Sequence, residues 1–262
     1  MSGIGADIER LAEACGGTVS VCVRDVRNAF DFSLNDDARM RSASTIKVPI
    51  LIEALRQARD GLLDLNAEYS VPRGKCCDGS GVLAHLHDGV ILTLKDLLTL
   101  MIIVSDNTAT NMVIDTVGVE NVNSTLGGFG CSGMSLGRKM YDWEGMARGL
   151  DNFVVAREMA ELLARVARHE ALGGEWDELV LSTMRAQQFS DELGLLLPEG
   201  VLANKTGQVD GVVHDCGVVT TPEFCYSIAV FTKDAPVAGE AKVMIGRISK
   251  AVFDAVLAGK TC

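Results

Sequence analysis

The sequence predicts an α+β fold. An antiparallel sheet is built from both ends of the chain and flanked by helices, an all-helical lobe lies between, and a ligand cleft opens where the two meet. Three observations predict it. Strand-like alternation is confined to the first 34 residues and to the stretch after Gly200. From about 44 to 185, apolar residues recur at the three- and four-residue spacing of helices. No repeat, low-complexity tract or long linker divides the 262 residues. The expectation is one domain over 1–262, with an α/β lobe from about 1–40 and 200–262 and a helical lobe from about 41–199.

Each element has its own signal. Ile4, Ile8, Leu11, Ala12 and Cys15 make a helical stripe that Gly16 and Gly17 stop. "TVSVCVRDV" (18–26) alternates as a strand, and "NAFDFSL" (28–34) reads as its hairpin partner. Val48, Leu51, Ile52 and Leu55 mark a buried helix face, with Ser42, Ser44 and Thr45 as candidate N-caps. "TLKDLLTLMIIV" (93–104) opens on Thr93 and Asp96, a capping box, and 156–170 is a further amphipathic helix. "VLANKTG" (201–207), "GVVHDCGVVTT" (211–221) and "FCYSIAVFT" (224–232) read as three strands separated by turns. A last helix, roughly 239–258, carries Ile245, Ile248, Val252, Ala255 and Val256 on one face.

Composition narrows the function. Nearly half the residues are apolar, 48%, so a core forms without metals or disulfides as staples. A net charge of −11 argues against nonspecific binding to nucleic acid or anionic membrane, where a basic patch supplies the affinity. The eight cysteines include no C-x-x-C pair and only four histidines accompany them, so zinc-site spacing is missing and neither metal nor cofactor is expected. Scattered cysteines in a chain of this length read as buried thiols. The N-terminus lacks a basic segment followed by an apolar one, and the apolar run 97–104 is too short to span a membrane. As written, the expected compartment is the cytoplasm; it is secreted or periplasmic if a leader has been removed.

Chemistry enters at "RSASTIKVPILIEALRQA" (41–58). On a helix Ser44 and Lys47 lie on one face, so the lysine amine can stand beside a hydroxyl that needs a base to become a nucleophile. The same pair also suits an ordinary helix start, and chance gives roughly one S-x-x-K in a chain this long. "SDN" (Ser105, Asp106, Asn107) closes one helical run and also suits a cap for the next. "KTG" (Lys205, Thr206, Gly207) falls in the first strand after Gly200 and alone is turn chemistry.

Together, S-x-x-K, S-D-N and K-T-G occur in that order at a helix start, an inter-helix turn and a strand. The trio resembles that of class A β-lactamases and penicillin-binding proteins. "GSGVLAHLHDGVILTLKDLLTLMIIVSDNTATNMVID" (79–115) and "AREMAELL" (156–163) extend the likeness over most of 20–258. The resemblance implies a serine hydrolase. Ser44 would be the acylated nucleophile and Lys47 its activator. The N–H groups of Ser44 and Gln208 would form an oxyanion hole worth ~3 kcal/mol per donor. Ser105 would relay a proton to the leaving nitrogen, and Asn107 would bond Lys47 and the substrate's side-chain amide. Lys205 and Thr206 would bind the substrate carboxylate, while Gly207 lets the strand approach closely.

Two departures stand out. The family's omega loop carries E-x-x-L-N, whose glutamate activates the deacylating water; no such motif occurs in this chain. Over "SLGRKMYDWEGMARGLDNFVVAREMA" (135–160), alignment on "WE" makes Glu144 the base. Alignment on Arg138 puts Met140 there and leaves Asp142 as the nearest carboxylate. Both acids also read as solvated loop charges. After K-T-G, Val213 stands where class A enzymes often have an arginine, and Arg138 or Lys139 is the candidate substitute. His214 beside it reads as a strand residue satisfied locally rather than as a base. The expectation is β-lactam hydrolysis through an acyl-enzyme, with slow release. The partner would be a small amide or ester bearing a carboxylate. The alternatives are a D-Ala-D-Ala peptidase or esterase, and a penicillin-binding sensor acylated without turnover.

Overall fold

The computed structural model describes residues 4–27 and 30–259. Asn28 and Ala29, where the second hairpin arm was expected to begin, lie outside the described residues, as does Cys262. In chain order the elements are α1 (Ile4–Glu13), β1 (Thr18–Asp25), β2 (Asp31–Leu34), β3 (Arg39–Arg41), α2 (Lys47–Arg59), β4 (Glu68–Val71), β5 (Val90–Thr93), α3 (Leu94–Ile103), α4 (Asn107–Val117) and α5 (Val119–Gly128). There follow α6 (Trp143–Ala147), β6 (Phe153–Val155), α7 (Ala156–Ala167), α8 (Gly174–Arg185), β7 (Leu202–Val209), β8 (Val212–Thr220), β9 (Cys225–Lys233) and α9 (Ala238–Leu257).

The two chain ends share one sheet of order β2-β1-β9-β8-β7, antiparallel throughout. Its central strands are buried on both faces, and the alternation sorts side chains between two cores. Val21, Val23, Tyr226, Ile228 and Val230 face α1 and α9. Cys22, Ala229 and Phe231 face the helical lobe. This is the predicted α+β arrangement. β7 lies at the sheet edge, so the backbone groups on its outer side point away from the ladder.

α2 is the axis of the helical lobe. The expected stripe of Val48, Leu51, Ile52 and Leu55 is buried, and so are Ile50, Ala54, Glu53 and Lys47, which makes the helix internal on nearly every side. A buried Glu53 needs partners. Hydrogen bonds from Arg56 (2.7 and 2.9 Å), Gln57 (2.6 Å) and Thr125 (2.6 Å) outweigh the effect of its burial and hold its pKa below the usual value. The lobe also contains two short ribbons, β3 with β6 and β4 with β5, that the helical reading missed. At three or four residues each, they are too short for a period of two to register. No helix among the described residues is long and apolar enough to cross a membrane. The seven described cysteines are free thiols.

Candidate active site

A 3-10 turn, Ala43–Ile46, brings the chain into α2. Neither Ser42 nor Ile46, which precede the turn and the helix, makes a side-chain cap. Thr45 Oγ1 instead donates to the Ser42 carbonyl (2.7 Å) and Ser42 Oγ to that of Ala43 (3.0 Å). Two of the three hydroxyls are thereby spent on the turn, and Ser44 lines the cleft. Ala43 holds a φ of 44°, a left-handed conformation that costs a residue with a Cβ about 1 kcal/mol or more. Ser105 and Tyr141, at φ 54° and 57°, add further strain around the same cleft.

Lys47 is fully buried, and its three ammonium protons have three acceptors. These are the Ser105 carbonyl (2.7 Å), Ser105 Oγ (3.0 Å) and Asn107 Oδ1 (2.8 Å). Burial first, and the nearby Lys205 cation second, hold its pKa well below the ordinary lysine value, against a smaller opposing pull from Asp106. The carbonyl and the amide oxygen can only accept. Loss of one proton therefore falls on the bond to Ser105 Oγ, where the hydroxyl is able to reverse and donate.

Asp106 does what the cap reading expected: its carboxylate accepts the Ala109 N–H (2.9 Å) at the start of α4. Its other oxygen accepts the N–H groups of Val82 (2.7 Å) and Leu83 (2.9 Å), and so ties the loop 73–83 to the site. Asn107 continues this anchoring, with its backbone N–H on the Ser80 carbonyl (3.0 Å) and Nδ2 on that of Asp78 (2.9 Å). The motif thus caps a helix, holds Lys47 and fixes a cleft wall at once.

The edge strand β7 brings K-T-G against the Ser44 turn. A Cβ on Gly207 would lie 2.9 Å from the Ser44 nitrogen and 3.1 Å from that of Thr45, so only glycine permits this approach. Gln208 is exposed on the cleft wall beside Ser44. Lys205 lies on that strand with its side chain wholly buried, and Nζ donates to the Thr206 carbonyl (2.7 Å).

The segment 137–152 forms the opposite wall. Asn152 closes its neck: Oδ1 accepts the N–H groups of Gly137 (2.8 Å) and Arg138 (3.0 Å), and Nδ2 donates to the Arg138 carbonyl (3.0 Å). Asn111 fixes Met140 at both backbone groups (2.8 and 3.0 Å). Met140 lines the same cavity as Ser44 and Asn107, a space of about 420 Å³. Glu144 is exposed on α6 and Asp142 caps that helix through Gly145 (2.8 Å); neither lines the cavity.

Sequence reading passed over Asp151, which does line it. Asp151 accepts from Arg41 (2.7 Å) and Arg138 (2.8 Å). Burial alone would raise its pKa, but the Asn152 N–H and the two guanidinium groups hold it low. Arg138 is thereby engaged, as is Lys139 in an ion pair with Asp115. His214 sits buried in β8. The Thr232 N–H donates to Nδ1 (3.1 Å), so Nε2 carries the proton and donates to the Arg41 carbonyl (2.9 Å). Burial pushes its pKa down to about 4, so it is a satisfied neutral strand residue. No cluster of His, Cys, Asp or Glu among the described residues could hold a metal ion.

The family model described as "Beta-lactamase enzyme family" matches residues 4–256. A β-lactamase from Sphaerobacter thermophilus is 35% identical and superimposes at a TM-score of 0.91, over 98% of each chain. A β-lactamase from Chitinophaga pinensis is 24% identical at a TM-score of 0.88, over 97% of this chain and 99% of that one. A PBP-A mutant solved as its acyl-enzyme complex with penicillin G is 24% identical at 0.87, over 97% and 96%. At that identity the last two speak for the fold alone. No curated protein matches the chain.

Proposed function

Because the chain belongs to the beta-lactamase enzyme family, we propose that it is a class A-type serine hydrolase that β-lactams acylate on Ser44 and that releases the acyl group slowly. One observation carries this reading. Lys47 is buried among Ser105 and Asn107 beside the Ser44 turn, while the wall opposite presents Met140. In acylation, neutral Lys47 takes the Ser44 proton as the oxygen attacks the carbonyl. The N–H groups of Ser44 and Gln208 stabilise the oxyanion. Ser105, bonded to the same amine, passes a proton to the leaving nitrogen.

Release needs a carboxylate placed against a water. Asp151 is a poor one, because its two arginines lower its basicity. Asp142 is spent on a cap and Glu144 faces solvent. A chromogenic cephalosporin is therefore expected to give a burst of one equivalent followed by slow turnover, with the adduct visible by intact mass. Glu144→Gln and Asp142→Asn should leave the adduct's lifetime unchanged, and stability as well, since asparagine caps a helix about as well as aspartate. A lifetime lengthened tenfold or more in either variant would assign that acid as the base. Rapid, burst-free hydrolysis by the native protein would overturn slow release.

Lys205 acts in this scheme through Lys47. Acylation requires the neutral amine, so its rate should climb as pH rises through the depressed pKa of Lys47 and then level off. Lys205→Met removes the neighbouring positive charge and lets the Lys47 pKa rise, so the climb should move to higher pH. A profile of acylation rate against pH checks this. An unshifted climb would show that burial alone sets the amine.

A further inference from the structure

Two cavities meet at Ser44, and they divide a substrate between them. Ser44 lines both the large cavity and a smaller one of about 200 Å³. Ser105, the donor to the leaving nitrogen, lines the smaller and not the larger; for Asn107 the reverse holds. The acyl half of a substrate therefore lies in the large cavity and the leaving group in the small one. We propose that Trp143, with Tyr141 against it, is the stacking surface for an aromatic acyl group, and hence a specificity residue of the Ser44 site. This inference rests on the acyl-enzyme reading above. The ligand class is an amide or ester whose acyl half ends in an aromatic ring.

Trp143 is 65% exposed and Tyr141 43%, and both line the cavity that contains Ser44. A single exposed apolar side chain is ordinary, whereas a contiguous apolar patch inside a cleft marks a binding surface. This patch is contiguous. The two rings meet edge to face, with centroids 5.6 Å apart and planes at 88°. Met140 and Met146 line the same cavity, and their polarisable thioethers suit the edge of a ring. The chain's other tryptophan, Trp176, is half-buried against the core of the helical lobe. The surface is also held in place, so a ligand loses little freedom by meeting it. Asn111 fixes Met140, the Trp143 N–H donates to the Tyr141 carbonyl (3.0 Å), and Asp142 between them caps α6. At Tyr141 the chain turns through its left-handed φ of 57°. The phenol reaches the facing loop, where a Cβ on Gly79 would collide with its hydroxyl. It therefore has a wall behind it, and Trp143 is the more open of the two rings. Arg41 and Arg138 on the same walls are paired with Asp151, which leaves the aromatic and methionine side chains to take an apolar group.

The test uses one β-lactam nucleus bearing either a phenylacetyl or an acetyl group, and compares the two second-order acylation constants by intact mass. The phenylacetyl compound should acylate the native protein faster. In Trp143→Ala its constant should fall about 10- to 100-fold more than that of the acetyl compound, the expected worth of covering an aromatic face. Trp143→Phe keeps a ring and should restore most of the preference. In Trp176→Phe, Trp143 is the sole tryptophan. Its emission should shift on acylation by the phenylacetyl compound, and much less with the acetyl one. Equal losses with both compounds in Trp143→Ala would show that the residue supports the loop rather than the ligand, and would overturn the assignment. Constants that do not change, or an emission that neither compound moves, would do the same. Failure of both compounds to acylate the native protein would sink the Ser44 reading itself, and this proposal with it.

Discussion

Ser44→Ala is expected to abolish covalent labelling by β-lactams and by fluorophosphonates while leaving the fold intact. The effect is complete because the oxygen is the atom that becomes bonded, and the other hydroxyls of the turn and of the S-D-N motif are engaged elsewhere. Those of Ser42 and Thr45 are held by backbone carbonyls within the turn, and that of Ser105 is bound to Lys47. Loss of stability should be small, since the structure gives Ser44 no capping role to lose. Intact mass after incubation with excess reagent reads the labelling, and a thermal melt reads the fold. Labelling that persists at the native rate would mean that the nucleophile lies elsewhere. An unfolded variant would show that the hydroxyl supports the turn in a way its contacts do not reveal.

Much of the fold could be read from the sequence, because its largest elements obey simple periods. β1 alternates over eight residues, β8 and β9 are nine-residue runs rich in β-branched and aromatic residues between turn signals, and α3 carries its capping box in the letters themselves: Thr93 Oγ1 accepts the Asp96 N–H (3.1 Å). The ribbons β3–β6 and β4–β5 escaped because their pairing is decided by contacts between segments far apart in the chain. The site divides along the same line. Ser44, Lys47, Ser105 and Asn107 occur in short motifs; the structure gathers Ser105 and Asn107 around the Lys47 ammonium, and Ser44 lines the cavity that Asn107 also lines. The direction in which a long side chain points is not in the letters. Lys205 occupies the expected strand, yet its ammonium curls onto the adjacent Thr206 carbonyl. Asp151 needed its pairing with Arg41, 110 residues away, to be noticed.

Met140 is where one substitution should add most. Its backbone is held at both N–H and C=O by Asn111, and its side chain lines the cavity that contains Ser44. A carboxylate carried on the same Cα would enter that wall without moving the loop. Met140→Glu is therefore expected to shorten the lifetime of the acyl-enzyme by about 10²–10⁴-fold, the usual worth of general-base help. Met140→Gln matches its size without the basicity and should leave the adduct as long-lived as in the native protein. Exchanging a half-buried methionine for a polar group should cost ~1–2 kcal/mol of stability, which a melt would show in both variants alike. Burial would raise the new carboxyl's pKa, so the gain should grow as pH rises through that value and the group ionises. The adduct's decay, followed by intact mass after excess β-lactam is removed, separates release from acylation. A glutamate variant as slow as the glutamine variant at every pH would show that the cavity holds no attacking water within reach of position 140. Slow release would then come from exclusion of that water rather than from a missing base.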